Sequence, residues 1–155
     1  MSLMTLTGAL EKLIEDEIAG KAQLEQALVL QERAIVEALR DELDLATRAI
    51  ELELGRELER SRRRVAIFAR LGAHWGVAAN ALTLGGIVER LGPAGVDLDR
   101  LRAELRARIA SVLRKNRRVA RLVGVQSALV NETVSTLLGL AGVDQEPGAL
   151  FEARG

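Results

Sequence analysis

The sequence predicts an all-α fold: a long antiparallel coiled-coil hairpin with a third long helix alongside. The whole is an elongated helical bundle completed by a short connector helix and a flexible C-terminal tail. Three observations carry this expectation. Of the 155 residues, 48 % are apolar but only 2 % are aromatic, with Leu, Ala, Val, Glu and Arg dominating, the profile of long helices. Pro93 and Pro147 are the only prolines. Apolar residues recur at three- and four-residue spacing along most of the chain.

The first helix is expected over about 5–39. Its seam runs through Leu6, Leu10, Leu13, Leu24, Leu28, Ile35 and Ala38, with Glu17, Lys21 and Gln31 as polar interruptions. Beyond Leu39 the same phase selects Glu42, Arg56, Glu59 and Arg63. The apolar residues fall instead at Leu43, Ile50, Leu54, Leu58, Val65 and Phe68. Such a slip marks either a stutter in one helix or a turn between two. One unbroken helix from Thr5 to Leu71 would span roughly 100 Å, so a tight turn near Leu39 to Asp44 is expected, with Asp41 or Asp44 as N-cap of a second helix over about 42–71.

Residues 72–96 form the connector, rich in glycine, with a short helix starting at Thr83 and stopping before Gly92 and Pro93. The third long helix is expected over about 97–140. Asp97 is its expected N-cap, and its seam follows Leu98, Leu101, Leu105, Ile109, Val112, Asn116, Val119, Val123, Gln126, Val130, Thr133 and Leu137. A polar tail, 141–155, carries one late apolar pair, Leu150 and Phe151. The whole chain reads as one helical domain.

The charges sum to zero but are segregated. Residues 1–60 carry a net charge of minus seven, 61–125 plus ten, and the remainder minus three. An acidic hairpin arm beside a basic third helix is self-complementary, which competes with any external polyanion. Arg114, Lys115, Arg117, Arg118 and Arg121 all miss the seam, and Arg62, Arg63 and Arg64 cluster in the second arm. Both groups read as solvated or intramolecular rather than as contacts to nucleic acid. Cysteine is absent, which fits a reducing, cytoplasmic setting. No window is long and apolar enough for a membrane span, and the start lacks the pattern of a secretory signal.

No arrangement of nucleophile, base and electrophile can be named, so no enzyme, cofactor or metal is expected. His74, the only histidine, adjoins Trp75, the only tryptophan, and the pair reads as a connector anchor packed on the hairpin end. Gly85 and Gly86 follow no strand and match no phosphate loop. Asn116 and Gln126 sit at seam positions where polar residues fix register or meet a partner. Leu129, Val130, Val134, Leu137, Leu138, Leu140 and Val143 form a stripe wider than one seam needs. That stripe is either core packing or a surface for helix-in-groove binding.

The chain resembles the FlgN-type flagellar export chaperones. The resemblance rests on the first arm's "LVLQERAIVEALRDELDLATRAI", the second arm's "ELERSRRRVAIFARLG", the third helix's "LRKNRRVARLVGVQSALVNETVSTL" and the terminal "LFEARG", and it covers essentially the whole length. It departs from the family at Val119 and Ala120, where the family repeats asparagine, and at Phe151, where the family has tyrosine. The resemblance implies a cytoplasmic, non-enzymatic, ATP-independent chaperone. Such a protein holds the C-terminal helical region of hook-associated (hook–filament junction) proteins and delivers them to the flagellar type III export gate or ATPase complex.

On this reading the cargo-binding residues are Leu122, Gln126, Leu129, Val130, Val134, Leu137, Leu138, Leu140 and Val143. Leu150 and Phe151 dock on the export machinery. The rival expectation is a structural or adaptor coiled-coil protein that homo-oligomerises through its seams. A nucleic-acid binder using the basic region between Arg62 and Arg121 is a weaker one.

Overall fold

The computed structural model of the chain describes residues 1–122 and 130–136. Every regular element among the described residues is helical. In order they are α1 (Leu3–Val36), α2 (Arg40–Trp75), α3 (Leu84–Leu91) and α4 (Val96–Ala120), with 3-10 turns at Ala79–Ala81 and Gly92–Gly95. A further helical stretch covers 130–136. The architecture is an all-α bundle of a hairpin and a third long helix. The expected tail, 141–155, lies outside the described residues. Among these residues no helix is long and apolar enough to cross a membrane.

α1 is the middle of the bundle. α2 packs along it antiparallel, as the pairs Asp16–Arg63 and Gln23–Arg56 show. α4 packs along it parallel, matching Glu25 to Arg108 and Glu32 to Arg118. Serving two neighbours, α1 buries a wide band that includes Leu10, Leu13, Ile14, Ile18, Leu24, Ala27 and Leu28. α2 and α4, each facing mainly α1, bury only narrow seams. The connector closes the end where α1 begins: α3, the short helix expected here, buries Leu84 and Ile87, and Thr83 caps it by accepting a hydrogen bond from the Gly86 N–H at 2.9 Å.

Three features differ from the sequence-based expectation. The hairpin turn comes earlier than expected, at 37–39. Ala38 adopts a left-handed φ of 55°, Leu39 N–H reaches Ala34 O at 2.8 Å, and Ala38 N–H reaches Ile35 O at 3.3 Å. This is the double-bonded helix stop that usually carries glycine, so an alanine there leaves no sequence signal. Neither Asp41 nor Asp44 caps α2; Leu39 holds the cap position without a side-chain bond. Asp41 lies in the first helical turn instead, where its charge suits the helix dipole. α2 itself continues to Trp75 and stops at Gly76, which has φ 67°.

The second correction concerns which α2 residues face inward. The seam is Ala46, Ile50, Glu53, Glu57, Arg60, Arg64, Phe68 and Leu71, while the expected Leu58 and Val65 are exposed and Leu43 and Leu54 are half-buried. The third concerns the last long helix. Its seam through Leu98, Leu101, Leu105, Ile109, Val112, Asn116 and Val119 is buried as expected, but α4 starts at Val96, with Asp97 in its first turn rather than at the cap. It ends at Ala120, where Leu122 N–H closes a short-range bond on Val119 O at 2.8 Å, so α4 is about 38 Å long.

Candidate functional site

The junction of α1 and α4 begins with one carboxylate. Glu25 accepts hydrogen bonds from the Ser111 hydroxyl, from Lys115 at 3.0 Å and from Arg108 at 3.2 Å. Burial alone would raise its pKa; the bonds from Ser111 and Lys115, with the charges of Lys115 and Arg108, overcome this and hold it below the usual carboxylate range. Two turns on, Arg118 meets Glu32 at 3.3 Å. These contacts fix the axial register between α1 and the basic side of α4. The acidic arm and the basic helix thus pair within the chain.

Beside this clasp apolar residues reach the surface among charged ones such as the exposed Arg33–Glu37 pair. Val29, Leu30 and Val36 of α1 are exposed, and so is Leu122, which follows α4 and is 48 % accessible. The register set by Glu25 and Glu32 brings Val36 level with Leu122. A shallow depression of about 400 Å³, lined by Glu25, Gln26, Val29, Leu30 and Lys115, opens on this end. Here α1 carries more apolar residues than its two packing partners use. The sequence reading passed over Val29, Leu30 and Val36, although "ALVLQERAIV" already holds a surplus beyond one seam.

Of the residues expected to bind cargo, Leu122 lies in the turn after α4, and Val130 and Val134 are buried in the hydrophobic core. Gln126, Leu129, Leu137, Leu138, Leu140 and Val143 lie outside the described residues, as do the expected docking residues Leu150 and Phe151. Asn116 is fully buried at its seam position.

A second concentration of chemistry lies between α1 and α2. Glu17, Lys21, Glu53, Glu57, Arg60 and Arg64 are all buried at seam positions. Lys21 pairs with Glu57, Arg60 bridges Glu53 and Glu57, and Arg64 touches Glu17. Gly20 makes room for them, because a Cβ at that position would collide with Arg60 and Glu53. Burial pushes the Glu17 carboxyl up, against the lowering charges of Arg64 and Lys21. Burial pushes the Lys21 amine down, against Glu57. The six charges cancel within the cluster, three carboxylates against three cations.

Arg62 lies 3.7 Å from Glu59 in an exposed pair and Arg63 lies 3.6 Å from Asp16, so both arginines have acidic neighbours within the chain. Trp75 packs on the core at the end of α2, with the Arg90 guanidinium 5.6 Å from its ring centre, while His74 is exposed. Among the described residues no group of three or more His, Cys, Asp or Glu is placed to hold a metal ion. Comparisons with protein-family models, curated proteins and solved structures find no significant match for this chain.

Proposed function

We propose that this chain is a non-enzymatic export chaperone of the FlgN type. It binds the C-terminal helical segments of hook-associated proteins in the cytoplasm, prevents their premature assembly and passes them to the flagellar type III export apparatus. The observation that carries this reading is the uncovered apolar end of the α1/α4 pair, formed by Val29, Leu30, Val36 and Leu122. Parallel helices with an exposed apolar flank suit an added amphipathic helix, which needs anchors at helical spacing rather than a deep pocket. A shallow surface also suits cargo that must be released, since moderate apolar area gives moderate affinity.

The rival, an adaptor that oligomerises through its seams, is disfavoured by where those seams lie. The α4 seam from Leu98 to Val119 and the α2 seam from Ala46 to Leu71 are already buried within one chain. Titration calorimetry against C-terminal helical segments of hook-associated proteins tests the proposal. The intact chain should bind saturably. Leu30→Glu combined with Val36→Glu should weaken binding at least tenfold, and a chain ending at Gly142 should lose cargo or export-gate binding while keeping its helical circular dichroism. Absence of binding by the intact chain, or undiminished binding by both variants, overturns it.

A further inference from the structure

The outer face of α2 reads the same in both directions from Gly55. Three residues to either side stand Leu52 and Leu58; four to either side, Glu51 and Glu59; seven to either side, Arg48 and Arg62; ten to either side, Leu45 and Val65. Offsets of three, four and seven place side chains on one face of a helix. All these residues are exposed, the four apolar ones by 51 % to 65 %. The buried seam of α2 runs along the opposite side through Ile50, Glu53, Glu57 and Arg60. Gly55 sits inside a 36-residue helix, where glycine is costlier than any residue but proline. A Cβ there would meet nothing within 4 Å, so no close approach within the chain accounts for the missing side chain.

We infer that this face binds a second copy of the chain, crossing antiparallel about a two-fold axis at Gly55. Such an axis requires one patch to complement itself, which is what the pattern around Gly55 supplies. The two glycines let the helix backbones approach, and Leu52 and Leu58 of both copies close around that contact. The charges fit as well. By helical rotation Arg48 and Glu59 fall on one flank of Gly55, and Glu51 and Arg62 on the other. The axis keeps flanks and reverses direction, so Arg48 of one copy comes within a turn of Glu59 of the other, and Glu51 within a turn of Arg62, in exchange for the exposed Arg62–Glu59 pair within each chain. The like-charged pairs are level but on opposite flanks.

On the flanks the match fails at Thr47 against Arg63, and along the middle of the face it ends at Asp44 against Ala66, so the helices cross at Gly55 rather than run side by side. A contact this short is weak and concentration-dependent. It leaves the α1/α4 end free and is independent of the chaperone reading.

Sedimentation velocity on the full chain over a wide concentration range tests the inference. The unaltered protein should shift from monomer to dimer as concentration rises. Leu52→Glu with Leu58→Glu should remain monomeric throughout with unchanged helical circular dichroism. Gly55→Leu should raise the unfolding temperature of dilute protein, since leucine favours the helix and meets no neighbour, yet weaken the dimer at least tenfold. Gly8→Leu, at an equally open glycine of α1, should raise the unfolding temperature and leave the dimer intact. A monomer at every concentration overturns the inference, as does a dimer that survives both the leucine-to-glutamate pair and Gly55→Leu.

Discussion

At the scale of single residues, two positions hold more free energy than their identity suggests. Ala38 carries the left-handed turn between α1 and α2, a conformation that costs a residue with a Cβ about 1–2 kcal/mol. Ala38→Gly relieves that strain at the price of a more flexible unfolded chain, so it should stabilise the protein by about 1 kcal/mol, read as a rise in urea midpoint. Gly20 works the other way: Gly20→Ala drives a methyl against the ends of the Arg60 and Glu53 side chains, which must shift within their buried cluster, and should destabilise the fold by about 1 kcal/mol despite the better helix propensity. Glu25 adds a pH signature. Its folded pKa lies below the ordinary value, so its stabilising contribution is present above the usual carboxylate range and is lost as pH falls through the folded value. Glu25→Gln should therefore flatten the acid limb of stability against pH, measured by denaturant unfolding between neutral pH and pH 3.

Among the elements, the α1/α2 hairpin is held by a seam that is apolar at its ends and ionic in its middle. Arg64 and Glu17 show what that arrangement costs. They touch, yet Arg64 Nε and Nη1 find no hydrogen-bond acceptor, and burial has raised the Glu17 pKa rather than lowered it. Glu17→Leu alone should destabilise by about 3–5 kcal/mol, because it strands a buried guanidinium. Glu17→Leu with Arg64→Leu should be neutral or stabilising. A double-mutant cycle in urea measures both, and a single variant as stable as the native protein would contradict it. The cluster is therefore a device for register: slipping α2 by one heptad would set Glu57 against Glu17 in one direction, or Arg64 against Lys21 in the other. This also explains which parts of the fold were legible in the sequence. The α4 seam, the Thr83 cap and the hairpin arms follow ordinary apolar periodicity and capping. The α2 seam did not, since pattern reading assigns Leu58 and Val65 inward and Glu57 and Arg60 outward, and only the matching charges on α1 reverse that. The turn was misplaced because Ala38 stands where glycine normally announces a stop. At the α1/α4 end, Leu122 was picked out from the sequence, but Val29, Leu30 and Val36 were hidden by lying outside the seam of a helix that serves two neighbours.

For the whole molecule, the two sides of α1 are joined by different physics, and salt separates them. Toward α2 six charges are buried in the central cluster, so mobile ions screen them little, while the Asp16–Arg63 pair stays open to water. Toward α4 the ion pairs are partly open to water: Arg108 and Arg118 expose 42 % and 66 % of their side chains, and such pairs contribute at most about 1 kcal/mol each. Beneath them lies the apolar seam from Leu98 to Val119, which salt does not weaken. Raising the ionic strength to about 1 M shortens the screening length to about 3 Å. That should loosen the α1/α4 clasp around Glu25 and Glu32 without detaching α4. Amide hydrogen exchange should therefore quicken in α4 between Arg108 and Arg118 while the middle of α2 keeps its protection. Equal loss in both helices would mean that the ionic cluster between α1 and α2 is as open to solvent as the clasp. The asymmetry also locates where a partner can add itself at low cost: beside the partly hydrated α1/α4 pairs Val29, Leu30, Val36 and Leu122 are exposed, whereas the six charges between α1 and α2 face one another.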